Sequence, residues 1–381
     1  MLDQNMSEAN LDFTYYNNPN DEFRANTGSL LPLWNIGCRL VRGMLVTDLC
    51  WNTLYPDLFA VAYKDPEKDE ADEKGEDDLG IIFEKGCVCV YSLKGPSHPE
   101  RIYVCPSAVR CLDFHPDRPY LVAMGFFGGT VAVYDLRRED FSPSGKNSNS
   151  EKLFHQDTVS EIQWLPDTIP QKFCSVSADG KIIKWQFMLH DLFPSEVVTS
   201  LLVRNILPEA PPKGIEMEKE TVMEEVSLKA GGTALSITGD SFAVGTTTGA
   251  IVLGSLEEKV GTADHVDHKH SVRSVQWNPY HPDVLLSCGK DFTVRIWHRS
   301  IRSSVFKFFF EQEVVDVRWA PFSSTLFAAI SGNAVIHVFD LSTSKTEAVG
   351  TYTVYTAKQN SRLTVLRFHL FKPILMVGDD R

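Results

Sequence analysis

One pattern recurs along this chain and constrains its fold more than any other feature. An alternating strand ends in Trp or Phe; a short turn, an apolar strand, a Gly/Asp turn and another alternating strand follow. The clearest copy runs Val272 to Trp277, then Asp283 to Cys288, then Thr293 to Trp297. A second runs Val314 to Trp319, Thr325 to Ile330 and Ala334 to Phe339, and a third Val109 to Phe114, Tyr120 to Met124 and Thr130 to Tyr134. Trp51, Trp164, Ile237 and Phe368 anchor the others, so the anchors stand at 51, 114, 164, 237, 277, 319 and 368. Proline follows several of them, in His115-Pro116, Leu165-Pro166, Asn278-Pro279 and Ala320-Pro321, where it stops the strand and presets a turn.

The tightest intervals lie near the roughly 40–45 residues of a four-stranded propeller blade. Period-2 alternation gives each strand a face to bury, and a single blade has nothing to bury it against. Stacking the repeats radially solves that problem and leaves only short edges. The expected fold is therefore all-β, a seven-bladed β-propeller over residues 23–381, preceded by a tail over 1–22. The last blade is expected to be incomplete, because the repeat ending at Phe368 supplies Ile374 to Val377 and then stops. Residues around Ser29 to Trp34 are expected to give that blade its outer strand. Two insertions lengthen the repeat. The first, an acidic loop over 64–86, opens with fifteen residues, 64–78, that hold nine acids against three lysines and about half the net charge of −13. That run reads as a solvated loop, with an acidic docking loop as the alternative. The second, a long loop over 188–232, contains Pro208, Pro211 and Pro212 and reads as an outer strand followed by surface chain.

Charge and cysteine usage narrow the function classes. A duplex nucleic-acid binder would carry the opposite charge balance, so protein partners fit better. The first residues, Met1-Leu2-Asp3-Gln4-Asn5, are neither basic nor apolar, and no stretch reaches the length of apolar chain a membrane span needs. Nucleic acid and membrane are therefore not expected partners. The eight cysteines form no C-x-x-C pair and lie mostly in apolar runs, which predicts reduced thiols and no metal site.

Two clusters could be mistaken for catalysis. His155, Ser175, Asp179 and Trp185 fall in one repeat, and His270, Ser287, Asp291 and Trp297 in another. The Ser-to-Asp and Asp-to-Trp spacings match in the two. A catalytic triad occurs once, whereas this set recurs at repeat spacing. It resembles the structural tetrad of WD repeats, in which buried polar groups satisfy one another and fix a turn. No phosphate-binding loop is present, and no catalytic residue or cofactor is predicted. The run Gly125-Phe126-Phe127-Gly128-Gly129 reads as a hairpin whose Phe126 and Phe127 could contact a partner or pack on a neighbouring loop. Arg295, Arg299 and Arg302 read as a solvated face.

Several segments resemble the WD-repeat half of an axonemal dynein intermediate chain of the outer-arm type. They include Gly28-Ser29-Leu30-Leu31-Pro32-Leu33-Trp34, Ser175-Val176-Ser177-Ala178-Asp179-Gly180, Ser274 to His281, Trp319 to Ala329, and Val377-Gly378-Asp379-Asp380-Arg381. The resemblance implies a non-catalytic scaffold of the axonemal dynein motor in the cilium or flagellum, within the cytoplasm and cytoskeleton. Its implied partners are a dynein heavy chain and other dynein intermediate and light chains, with any microtubule association indirect. A WD-repeat adaptor of cytoplasmic dynein, ciliary transport or dynein-arm pre-assembly is the alternative, and a propeller hydrolase a third class. Against the family pattern, the long N-terminal extension is expected to be missing, and Gly128 and Gly332 stand where a turn Asp is common.

Overall fold

The computed structural model describes residues 30–66, 86–105, 107–138, 145–146, 154–166, 168, 170–188, 191–204, 227–257, 260–354 and 361–380. Most of the acidic run, the stretch holding Pro208 to Pro212, and the tail over 1–22 lie outside these residues.

The described chain is almost entirely strand. Sheet one comprises β1 (Leu45–Trp51), β2 (Leu58–Lys64), β3 (Gly86–Ser92) and β4 (Arg101–Cys105). Sheet two comprises β5 (Val109–Phe114), β6 (Leu121–Phe126), β7 (Val131–Asp135) and β8 (Gly145–Lys146). Sheet three holds β9 (Val159–Trp164), β10 (Gln171–Ser177), β11 (Lys181–Met188) and β12 (Asp191–Ser200). A two-stranded ribbon, β13 (Leu202–Arg204) with β14 (Ser227–Lys229), leads to sheet four: β15 (Gly232–Thr238), β16 (Ser241–Thr246), β17 (Ile251–Ser255) and β18 (Val260–His265). Sheet five holds β19 (Val272–Trp277), β20 (Val284–Gly289), β21 (Thr293–His298) and β22 (Phe306–Phe309). Sheet six holds β23 (Val314–Trp319), β24 (Leu326–Ser331), β25 (Val335–Asp340) and β26 (Gly350–Thr353). Finally, β27 (Leu363–Phe368) pairs with β28 (Leu375–Asp379).

Each four-stranded sheet is an antiparallel meander in chain order, and the first strands contact one another in a ring: β1, β5, β9, β15, β19, β23, β27 and back to β1. This is a propeller. All seven anchors lie at or beside the end of a first strand, because the apolar anchor packs where that strand leaves the sheet. The number of four-stranded sheets differs from the seven expected. Among the described residues there are six, and the anchor Phe368 belongs to the two-stranded sheet between β23 and β1.

Residues 30–38 do not supply that sheet with a strand. Pro32 has no backbone donor for a ladder. Leu30 packs on the apolar cluster shared by sheet six and β27–β28, while Leu31, Leu33 and Trp34 are exposed. The cores lie between neighbouring sheets, as alternation requires. Ala60, Val88 and Tyr103 of sheet one meet Leu112, Phe114 and Met124 of sheet two, and Phe308 of sheet five meets Phe327 and Phe339 of sheet six. The short 3-10 turn Arg39–Val41 packs with sheet one and Val365.

Candidate functional site

In sheet three the predicted tetrad assembles. Trp185 Nε1 donates to Ser175 Oγ at 2.7 Å, and Ser175 Oγ lies 2.7 Å from His155 Nε2. His155 Nδ1 lies 3.3 Å from Asp179 Oδ1. A carboxylate only accepts, so Nδ1 carries the proton and Nε2 accepts from the serine hydroxyl. Asp179 also accepts the backbone N–H groups of Gln156 and Lys181, tying the turn to the preceding loop. Burial acts against the Asp179 charge, but His155 and these N–H donors outweigh it and bring its pKa down to about 2.

In sheet five the histidine differs from the one the sequence suggested. His268, not His270, stands 2.9 Å from Asp291 Oδ1 through Nδ1 and 2.8 Å from Ser287 Oγ through Nε2, and Trp297 Nε1 donates to Ser287 Oγ at 2.7 Å. His270 is exposed. The reason is register. His155 precedes its anchor Trp164 by the same number of residues as His268 precedes Trp277, and two residues later the chain has already turned outward. That spacing was readable in the sequence.

Arg295 is likewise not on a solvated face. It is buried, donates to Asp291 Oδ2 at 3.1 Å, and lies 2.7 Å from Asp267 Oδ2. As chemistry the two sets offer no open nucleophile. Ser175 and Ser287 are fully buried, with a tryptophan N–H and an imidazole already on the oxygen.

Sheets two and six carry no such set. Gly128 occupies the aspartate position of sheet two. In sheet six that position is held by Asn333 rather than Gly332, because Phe327 faces Phe339 as Leu285 faces Trp297, and Ala334 shares the left-handed conformation of Phe292, each at φ 60. Phe126 and Phe127 part company. Phe126 is the last residue of β6 and lies in the core between sheets one and two, so it offers no exposed contact. Phe127 is half-buried, with Lys64 Nζ 4.9 Å from its ring centre.

Around the axis lies an arrangement that the repeat search missed. At four of the seven anchors the side chain just before the anchor reaches to the next sheet and accepts the N–H of the next anchor. Asp113 accepts from Trp164 at 2.8 Å, Gln163 from Ile237 at 2.8 Å, Ser236 from Trp277 at 3.1 Å and Gln276 from Trp319 at 2.7 Å. At the same position in sheet six and in β27 stand Arg318 and Arg367, which cannot accept. They form an ionic chain instead. Arg318 lies 3.3 Å from Asp316 and 3.3 Å from Glu161 across the axis; Arg367 lies 2.9 Å from Asp316 and 2.6 Å from Asp48.

The same carboxylates also grip the next sheet's backbone: Asp48 accepts from Leu112, Glu161 from Leu235 and Asp316 from Leu366. Burial opposes the Asp316 charge, yet Arg318 and Arg367 hold its pKa below the usual carboxylate value. Asp113 is placed differently. Burial pushes it up to about 7, with Asp48 and Glu161 adding repulsion. A polar side chain one residue before six of the seven anchors, all but Trp51 with its Cys50, was visible in the sequence, but only the ring shows what it meets.

One end of the propeller presents apolar side chains. The loops that follow the first strands leave every sheet at the same end. Four consecutive positions of the ring expose bulky groups there: Tyr280 from sheet five, Phe322 from sheet six, Phe371 after β27, and Leu54 with Tyr55 from sheet one. In sheets one and five and after β27, the residue after the anchor holds the loop. Asn52 accepts the N–H groups of Leu54 and Tyr55 and donates to Pro119 O at 2.7 Å; Asn278 accepts from Tyr280 and His281 and donates to Ser324 O at 2.9 Å. His369 accepts from Phe371 and Lys372 through Nδ1 and lies 2.9 Å from Pro56 O through Nε2. Tyr280 also donates its hydroxyl to Pro321 O at 3.0 Å. The exposed groups therefore sit on loops braced by their neighbours.

Comparison with known proteins fits this architecture. The WD domain, G-beta repeat family matches residues 87–135 and 261–298. The whole chain is similar, at 34% identity, to "Dynein intermediate chain 2, ciliary" of Heliocidaris crassispina, of which it covers 52%. It is 37% identical to "Dynein axonemal intermediate chain 1" of Bos taurus, again over all of this chain and 52% of that protein. To "Dynein, 78 kDa intermediate chain, flagellar outer arm" of Chlamydomonas reinhardtii it is 33% identical, over all of this chain and 54% of the other. The chain thus spans about half the length of the curated relatives it matches.

Proposed function

Since the chain is a WD-repeat homologue of axonemal dynein intermediate chains along its whole length, we propose that it is a non-catalytic scaffold subunit of an axonemal dynein. In this reading it resides in the axoneme of a cilium or flagellum and serves motility by holding a dynein heavy chain, alongside other intermediate and light chains. The observation that carries the reading is similarity to such proteins across the entire chain. The tetrads of sheets three and five act structurally, as turn braces. The sheet of β27 and β28 is the inner half of a seventh blade.

The geometry supports a holding role. A rigid disc offers a broad surface, and a standard interface takes about 800 Å² from each partner. The braced loops bearing Tyr280, Phe322, Phe371, Leu54 and Tyr55 are the face we assign to the heavy chain. Bulky aromatic groups on preordered backbone bury apolar area at little entropic cost on docking. The formal charge of −13 disfavours direct contact with an acidic filament, so microtubule association is indirect.

Affinity purification of the tagged chain from ciliated cells tests the role, with heavy chain and a second intermediate chain as the expected co-purifying species. Recovery of ciliary transport proteins without any heavy chain would refute it in favour of an adaptor. The combined Leu54→Ser, Tyr55→Ser and Phe371→Ser variant tests the face. It should lose heavy chain while keeping its melting temperature, and full retention would move the contact elsewhere on the disc.

A further inference from the structure

The residues that replace the tetrad in sheet six change the shape of the molecule there. Register aligns His268, Ser287, Asp291 and Trp297 of sheet five with Phe310, Ala329, Asn333 and Phe339 of sheet six. In sheet five, imidazole, hydroxyl, carboxylate and indole fill the slot between the incoming loop and the turn. In sheet six the hydroxyl is gone, Asn333 points its amide at Ser331, and Phe310 packs edge-on against His337 and Phe339 with ring centres 5.0 and 5.9 Å apart. A cavity of about 320 Å³ opens between β22 and sheet six.

Its walls are aromatic, from Phe308, Phe309, Phe310 and Phe339, and Glu311 and Glu347 are the charged residues among its lining. No lysine or arginine lines it. His337 also lines it, and burial lowers the pKa of that imidazole, so it stays neutral near pH 7 and does not offset the two carboxylates. The Phe309 ring already draws a cation of this chain, since Lys307 Nζ lies 5.0 Å from its centre. The volume is at the small end for a ligand pocket and matches one long side chain better than a cofactor.

We propose that this cavity receives the side chain of an arginine or lysine presented by a partner polypeptide. Such side chains lay an apolar stem along hydrophobic walls and keep the charged head at a polar rim. Aromatic rings attract the cation, and carboxylates supply charge-assisted acceptors for its N–H donors. An apolar side chain would leave both carboxylates without a counter-charge, and an acidic one would be repelled. The proposal stands apart from the dynein reading and concerns a different place on the disc from the braced loop face.

The full chain, isotope-labelled, is titrated with the tripeptide Ac-Ala-Arg-Ala-NH2 while the amide signals of Phe309, Phe310, Glu311 and Gln312 are followed by NMR. The control replaces arginine with citrulline, which keeps shape and loses charge. Saturable shifts are expected with arginine, at about tenfold higher affinity than with citrulline, the difference that one charge-assisted hydrogen bond makes. The Glu311→Gln, Glu347→Gln double variant alters two exposed side chains and should keep its melting temperature while binding the arginine peptide about tenfold more weakly. Absence of saturable shifts, equal affinity for the two peptides, or undiminished binding in the folded double variant would each overturn the proposal.

Discussion

Replacement of Arg367 by methionine tests what closes the ring. Arg367 belongs to the last described sheet, and its guanidinium joins Asp48 of the first sheet, at 2.6 Å, to Asp316 of the sixth, at 2.9 Å. Both carboxylates are more than nine-tenths buried, and the arginine side chain is 21% exposed. Methionine keeps the length and the apolar contacts but leaves the carboxylates facing each other across the gap. Removing one partner of a buried pair costs about 3–5 kcal/mol. Asp316 keeps Arg318, and the guanidinium is not wholly desolvated, so about 3 kcal/mol is the expected loss. With an unfolding entropy of about 2.1 cal/mol/K per residue, 381 residues give about 0.8 kcal/mol/K, so the melting temperature should fall by about 4 °C.

The sign of the pH dependence follows from the wild type. The Asp316 pKa is depressed, so its contribution to stability is present above the ordinary carboxylate pKa and lost as pH falls through the lower folded value. Without Arg367 the carboxylates can relieve repulsion by taking a proton. The deficit of the variant should therefore shrink as pH falls from about 6 to about 3, through the ordinary carboxylate range. Adding Asp48→Asn should restore part of the loss. Urea midpoints of the single and double variants at both pH values provide the assay. A deficit under about 1 kcal/mol, or one equal at the two pH values, would refute the claim that this ion pair closes the ring.

Other outcomes follow from the same contacts. Ser287→Ala removes the oxygen shared by Trp297 and His268 and should cost about 1–3 kcal/mol, whereas His270→Ala should change stability by less than about 0.5 kcal/mol; thermal melting separates them. Gly249 has a φ of +91, and a Cβ there would collide with the backbone oxygen of His268, so Gly249→Ala should cost about 2–4 kcal/mol in a urea titration. Asp113, raised to about 7 by burial, favours its protonated form in the fold; that stability is full below the ordinary carboxylate pKa and lost as pH rises through about 7. Asp113→Asn can still accept the Trp164 N–H. Its urea midpoint should therefore gain on the wild type between about pH 5 and about pH 8, and parallel midpoints would show that Asp113 does not titrate there.

The strands and the anchors were legible because they depend on short-range periodicity. Alternation in Val272 to Trp277 forces one face inward whatever the neighbours are, and a buried Trp at the strand end needs only its own sheet to pack on. The tetrad of sheet three was legible for the same reason, since Ser175, Asp179 and Trp185 sit at fixed offsets within one meander. The histidine of sheet five was misplaced by two residues because it enters from the loop before the meander, where no alternation sets the count. Phe126 was read as a hairpin tip because the glycines beside it signal a turn, and the strand in fact extends one residue further before turning.

What the chain order alone determined is thus the repeat, the all-β class and the inward face of each strand, all properties of residues close in sequence. Whatever depends on pairs far apart was decided only by the ring. The partners of Arg318 and Arg367 come from strands 157 and 319 residues away, Glu161 and Asp48. As a linear pattern these arginines are only polar residues before an anchor. Closure brings them to one axis, where water is scarce and a cation must find a carboxylate. The same closure places Tyr280, Phe322, Phe371 and Tyr55 at one end of the disc, because radial packing points every first strand the same way.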